Sequence, residues 1–445
     1  MKKSYFVKIG MVLVALALLL AAVPVMLDRA DIAKAGPPPF PGDGKDYQPP
    51  LPLGYEVVPL DCEEVKVAAV QMQRVPVDYQ NPGPGIAANL EHMLELCDAA
   101  AAQGVRLAAF NEFTLNGTPV FEDRQVLLDG AAISVPGPEI DAISAKAQEH
   151  GMYIVFASIW REPEEWPGHF FNGGIIIGPS GDIILKHWKS YFGYPGIGLE
   201  YSTTVYDVLD EFEKRYGWDA VNPVVRTPIG NLAVSVCSES FFNSAELPRI
   251  YAMKGCEIYI RMYGGSGWKT WQGRMMNLPI GEAAQNMIWV LSTNNANDTE
   301  PDDPLNSMWG SSQIIDPCGN VKVRSNTIRE EIVTWTIPIA DYRQPGTDNP
   351  NNFDYYGNPH LSPNYYRGGL RNEIFIREYE QFPEQFPPNL LTEYQKHHHG
   401  ELPPTYCDAR EWYFQNQRWQ SDYWDTGKYI CPDINSMDYP PFPKE

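Results

Sequence analysis

The stretch Leu-Ala-Val-Ser-Val-Cys-Ser-Glu-Ser, residues 232–240, decides how this chain is read. Leu232–Val236 is a short apolar run that stops abruptly at polar residues, the pattern of a buried strand reaching its turn. Cys237 stands at the exit. Ala245–Lys254 then predicts a helix and Glu257–Arg261 a second strand, so strand, helix and strand follow in order. Working outward, the same alternation recurs. Val67–Met72 reads as a strand. Ile86, Leu90, Met93, Leu94 and Cys97 recur at helical spacing until Gly104 ends the helix. Arg106–Phe110 and Met152–Ser158 are strands, with a helix over Ile140–His150 between them. Met275–Gln285 predicts a helix leading into a strand at Ile288–Ser292. Two hairpins interrupt the series. Gly173–Gly178 and Asp182–Leu185 flank Pro179-Ser180-Gly181, and Gln313–Asp316 and Val321–Arg324 flank Pro317-Cys318-Gly319-Asn320. Hairpins mixed with crossovers imply an α/β protein built on mixed sheets, not a purely parallel one.

The regions outside this alternation differ in kind. Lys2, Lys3 and Lys8 precede an uncharged run, Ile9–Leu27, and Asp28, Arg29 and Asp31 follow it. Nineteen helical residues at about 1.5 Å each span roughly 28 Å, close to a bilayer core. Residues 1–35 therefore read as a signal peptide or an N-terminal membrane anchor through residues 9–27, with Ala33-Lys34-Ala35 as a cleavage motif. Either form places the remainder outside the cytoplasm, because the positive flank stays inside. Residues 36–60 are proline-rich and read as a semi-rigid linker. Residues 61–340 carry the α/β pattern. Residues 341–445, rich in proline, aromatics and Asn/Asp, read as an arm wrapping the core or a neighbouring subunit, with helices expected only at Leu370–Tyr379 and Ala409–Gln420.

Composition narrows the function classes. Across 445 residues the net charge is −22, which speaks against nucleic acid as a partner, since phosphate binding needs clustered Lys and Arg. Seven cysteines leave an odd count in an exported chain. One reactive thiol would leave enough for up to three disulfides, with Cys407–Cys431 the best-placed pair; Cys97 and Cys256 read as buried thiols. His397-His398-His399 reads as a solvated polar run, with metal binding the minor alternative.

Three polar side chains stand at strand exits. Cys237 follows Val236, Glu112 follows Leu-Ala-Ala-Phe-Asn (107–111), and Lys189 follows Ile-Ile-Leu-Lys-His-Trp (183–188). Each has an ordinary explanation when taken singly: a core thiol, a turn carboxylate, a snorkelling lysine. Together they supply a nucleophile, a proton acceptor and a cation for a developing oxyanion, which is what thiol-dependent cleavage of an amide requires.

The same segments resemble the nitrilase, or carbon–nitrogen hydrolase, superfamily over about Val65 to Ile339. Val-Lys-Val-Ala-Ala-Val-Gln-Met (65–72) is similar to its opening strand. Leu-Ala-Ala-Phe-Asn-Glu-Phe-Thr-Leu-Asn-Gly (107–117) resembles the segment of its base, with Asn111 in place of the usual proline. Residues 181–189 resemble its lysine segment and 237–258 its nucleophile segment, and 281–294 and 311–321 match later blocks in the right order. The resemblance implies a four-layer α-β-β-α sandwich, here with an extended C-terminal arm, pairing into a homodimer or larger homo-oligomer. It implies a triad of Glu112, Lys189 and Cys237 that needs no metal or organic cofactor. Ser238 would lend its N–H to the oxyanion, and Phe113, Tyr263 and Trp268 are candidates for the substrate pocket. Many members carry a second glutamate eight residues after the lysine. Here that position is Ile197, and Glu200 is the nearest carboxylate. Tyr201–Pro223, with an acidic helix at Asp207–Arg215, reads as an insertion at the pocket rim.

Nitrile-cleaving relatives usually carry Trp after the nucleophile, where this chain has Ser238. The expected reaction is therefore hydrolysis of a small-molecule amide, a short aliphatic one, through a Cys237 thioester with release of ammonia. A nitrilase or N-acyltransferase with the same triad, and a catalytically idle structural or binding homologue, are the alternatives.

Overall fold

The computed structural model describes residues 55–117, 124–190, 202–242, 246–264, 269–296, 310–343 and 389–403, together with Trp412. Ile9–Leu27, Glu200, Trp268, Cys407, Cys431 and the segments expected to be helical at Leu370–Tyr379 and, apart from Trp412, Ala409–Gln420 lie outside the described residues. Among the described residues, no helix is long and apolar enough to cross a membrane.

Two sheets make the frame. The first contains β1 (Val65–Gln71), β2 (Leu107–Ala109), β3 (Ile133–Ser134), β4 (Tyr153–Arg161), β5 (Phe171–Ile177), β6 (Ile183–Trp188) and β13 (Glu331–Ile337), in the order β13-β1-β2-β4-β5-β6 with β3 paired to the end of β4. The second contains β7 (Val225–Thr227), β8 (Gly230–Val236), β9 (Ile258–Met262), β10 (Trp289–Thr293), β11 (Gln313–Ile315) and β12 (Val321–Arg324), in the order β12-β11-β10-β9-β8-β7. Each has a parallel centre, β1-β2-β4 and β8-β9-β10, flanked by antiparallel strands.

The central strands are largely apolar because both of their faces are covered, whereas the edge strands β6, β7 and β12 and the outer β13 are only partly buried. Val67 and Ala69 face the second sheet while Ala68 and Val70 face outward. On the other sheet Leu232, Val234 and Val236 point inward and Ala233 outward. The inner layer joins Val67, Leu107, Val155, Val234, Ile260 and Leu291 into one apolar core. Gly174 lets the sheets approach: a Cβ there would lie 2.7 Å from Met262 Cε and 2.8 Å from Val234 Cγ2.

Helices cover both outer faces. α1 (Gly83–Ala102) and α2 (Pro138–His150) lay Met93, Cys97, Ile140 and Ile143 on the first sheet. α2 ends on Gly151, whose φ of 59° suits the left-handed cap. α3 (Leu209–Tyr216) belongs to the insertion, and α4 (Ser238–Phe242) follows β8 directly. α5 (Glu246–Met253) and α6 (Lys269–Asn286) cover the second sheet with Leu247, Tyr251, Ile280 and Ala283. The expected α-β-β-α sandwich is the architecture found.

Other expectations need correction. α7 (Ile339–Arg343) follows β13, and a further helix in the tail, α8, spans Leu390–His397. The sequence reading had no helix at α8, because its pattern is short and set among prolines and aromatics. Leu390 and Leu391 enter the core with Val205, Val208 and Phe212. Asn389 N–H donates to Tyr206 O at 2.9 Å and Asn389 Oδ1 accepts from Asp210 N–H at 2.8 Å. Part of the tail is thus packed onto the insertion. His398 stacks on Tyr394 and lies 2.8 Å from its carbonyl oxygen. Among the described residues Cys62 and Cys97 are free thiols, and the expected Cys407–Cys431 pair lies outside them.

Candidate active site

Three strand ends and the segment after β9 converge on Glu112. The loop after β2 turns sharply, with Phe113 at a φ of 54°, and drives Glu112 inward, where it is buried. Arg74, also buried, holds this loop by donating from Nη1 to the carbonyls of Glu112 at 2.8 Å and Gly117 at 3.4 Å. Lys189, one residue beyond β6, donates from Nζ to Glu112 Oε1 at 2.9 Å. Asn172, on β5, donates from Nδ2 to the same oxygen at 2.9 Å, and its carbonyl accepts the Lys189 N–H at 2.8 Å. The other oxygen, Oε2, accepts the N–H of Gly264 at 3.0 Å.

Cys237 is tied to the same place through the backbone. Its N–H donates to Met262 O at 2.8 Å, and the N–H of Glu112 donates to the next carbonyl, Tyr263 O, at 3.0 Å. The Cys237 φ of 43° is unusual for a side chain with a Cβ; it marks a tight strand-to-helix elbow between β8 and α4. Cys237 and Ser238 are partly exposed there, whereas Glu112 and Lys189 are buried.

Glu239, two residues past the thiol, is fully buried. Its Oε1 accepts the N–H and hydroxyl of Ser190, each at 2.7 Å, and its Oε2 accepts the N–H of Val236 at 2.8 Å. His187 Nε2 lies 2.9 Å from Oε2 and 3.1 Å from Oε1. Burial alone would push this carboxyl up, but the His187 charge and hydrogen bond, with Ser190, hold it below its ordinary value.

On the outer face of β9, Arg261 Nε and Glu282 Oε2 are 2.7 Å apart, both buried. Burial pushes the Glu282 carboxyl up to about 7 despite the pull of Arg261. Arg261 also lies over the Tyr263 ring, 4.8 Å from its centre, and donates to its hydroxyl. Burial raises the Tyr263 phenol well above its ordinary value despite the pull of Arg261, and the Glu282 charge adds to the shift.

Of the residues expected from sequence, Glu112 and Lys189 pair directly, and Cys237, with Ser238 beside it, is linked to the Glu112 loop through the backbone of Met262 and Tyr263. Phe113 edges against Gly264 and packs with Leu127, Ile159 and Phe170. Tyr263 is wholly buried against Arg261. Glu200 and Trp268 lie outside the described residues. Asn172, Gly264 and Arg74 escaped the sequence reading. An asparagine just ahead of Gly173-Gly174 was the available signal for the first, and Gly264-Gly265 for the second.

Comparison with known proteins places this arrangement. The Carbon-nitrogen hydrolase family matches residues 66–345, more than half of the chain. The chain belongs to that family and is a carbon–nitrogen hydrolase of the amidase type. It is similar to the protein named omega-amidase NIT2-B of Xenopus laevis, 29% identical over 257 residues that cover 56% of this chain and 83% of that one. Omega-amidase NIT2 of Mus musculus is 27% identical over 268 residues, covering 58% and 86%. A mutant of the Nesterenkonia AN1 amidase, from the nitrilase superfamily, has the same fold, with a TM-score of 0.50 over 73% of this chain and 100% of that one at 16% identity.

Proposed function

We propose that this protein hydrolyses short aliphatic amides outside the cytoplasm, with Cys237 as nucleophile, Glu112 as general base and acid, and Lys189 as oxyanion stabiliser. The observation that carries the reading is the asymmetry of the Glu112 carboxylate. Oε1 is engaged by Lys189 and Asn172, while among the described residues Oε2 accepts a single N–H, from Gly264. Oε2 keeps a lone pair for a proton.

The steps follow from these positions. Glu112 Oε2 takes the thiol proton as Cys237 Sγ bonds to the amide carbon, and the carbonyl π pair moves onto oxygen. Lys189 Nζ and the Ser238 N–H receive that oxyanion. As it collapses, the carbon–nitrogen bond breaks and Glu112 returns the proton to nitrogen, releasing ammonia and leaving a thioester. Water, deprotonated by Glu112, attacks the thioester; its collapse frees the acid and reprotonates Sγ. The relatives' name, omega-amidase, places ω-amides in the range to be tested.

Export rests on Ile9–Leu27 and its positive flank, either as an anchor or as a cleaved signal. Pairing into a homodimer or larger assembly rests on the resemblance. Glu200 remains the candidate for a second carboxylate at the site, and Trp268, with Phe113 and Tyr263, for the pocket.

The test is ammonia release from a panel of short aliphatic amides, ω-amides and nitriles by the full chain and by Cys237→Ala. Release from amides that vanishes in the variant is expected. No release from any compound, or release that survives the substitution, defeats the reading.

A further inference from the structure

The buried Glu239 carboxylate joins two segments that are distant in sequence. On one side it takes both donors of Ser190, the residue bonded to Lys189. On the other it takes the N–H of Val236, the residue bonded to Cys237. His187 approaches both oxygens from within β6. A carboxylate with no solvent contact costs several kcal/mol unless donors satisfy it, and here each donor comes from one of the two segments that would flank the oxyanion. One of these carries Lys189; the other carries the Cys237 thiol and the Ser238 N–H.

We propose that Glu239 is a positioning residue that sets Lys189 against the Cys237–Ser238 elbow, so that both oxyanion donors face the same point. This rests on the catalytic reading of Cys237 and Lys189 given above. The chemistry of the side chain makes it testable. Glutamine keeps the volume, but its amide NH2 must replace one of the two oxygens. On the Oε1 side it would face the two Ser190 donors, and on the Oε2 side the Val236 N–H and His187. Glu239→Gln therefore opens one side of the link without making a cavity.

Two reactions of Cys237 separate positioning from general damage. Acylation by p-nitrophenyl acetate passes through a tetrahedral oxyanion, with p-nitrophenolate leaving as the thioester forms. Methyl methanethiosulfonate exchanges its sulfinate for the thiolate and forms no such oxyanion. Both are followed by the mass of the Cys237 peptide from the full chain. Glu239→Gln is expected to slow acylation roughly tenfold to a hundredfold, the scale for a displaced oxyanion donor, while thiosulfonate labelling stays within about threefold. In amide turnover kcat falls and KM is nearly unchanged. Ser190→Ala, which removes one of the four hydrogen-bond donors, is the second variant should the first not fold, with the same selective loss on a smaller scale. Acylation at the wild-type rate in a folded variant, or labelling that falls in step with acylation, overturns the proposal. Wild-type protein whose Cys237 is not acylated at all overturns the catalytic reading, and the proposal with it.

Discussion

Gly264 approaches Glu112 so closely that it has no room for a side chain. Its N–H meets Oε2 at 3.0 Å, and a Cβ on Gly264 would lie 2.7 Å from that oxygen and 3.1 Å from Glu112 Cβ. The carboxylate cannot retreat without leaving Lys189 and Asn172, which hold its other oxygen. Glycine is needed here for close approach, since its backbone is not in the left-handed region.

Gly264→Ala should therefore cut amide turnover roughly a hundredfold, the scale for a displaced catalytic group. Steady-state kinetics with a competent amide checks this, and wild-type kcat in the variant would show that the approach is dispensable.

Asn172 holds Glu112 from the side of Lys189. Asn172→Ala leaves Oε1 with one donor fewer and should lower kcat about tenfold or more, with the sandwich intact. Circular dichroism verifies the fold, and kinetics verifies the loss. An undiminished kcat would mean that Lys189 alone fixes the carboxylate.

Much of this was legible in the sequence. β8 and β10 are covered on both faces and so appear as largely apolar runs; Glu112, Lys189 and Cys237 stand out as polar residues just past strand ends. What escaped depends on distant partners. Asn172 looks like a residue leading into a glycine pair until Glu112 arrives from sixty residues away in the chain. Gly264 has no sequence signal beyond its glycine pair, because nothing local reveals the carboxylate its N–H meets. β13 was not separated from its surroundings, although it completes the first sheet beside β1. α8 was hidden because its short apolar face, Leu390 and Leu391, is matched by Val205 and Phe212 in an insertion far upstream.

That contact yields a stability prediction. Leu391 is buried, so Leu391→Ala should cost about 2–5 kcal/mol by the usual cavity scale. Urea unfolding measures it. A change of about 0.5 kcal/mol or less, the level of a surface substitution, would show that α8 does not share the domain's core.

Glu282 predicts a pH dependence of stability. Its folded pKa is raised to about 7 from an ordinary 4.5, so between these values the unfolded chain gives up the proton first. Stability from this group is full below pH 4.5, falls as pH rises through the window, and is lost above 7. The melting temperature of the wild type should therefore drop from pH 5 to pH 8 more steeply than that of Glu282→Gln, whatever the variant's absolute stability with Arg261 left buried. Equal slopes would contradict it.

The central claim is that Cys237 carries the acyl group. Intact-mass measurement of the protein mixed with a turned-over amide and quenched in acid tests it most directly. The account predicts an added acyl mass that maps to the Cys237 peptide and is absent from Cys237→Ala. Turnover with no adduct on Cys237 at any quench time, or an adduct on another residue, would contradict it.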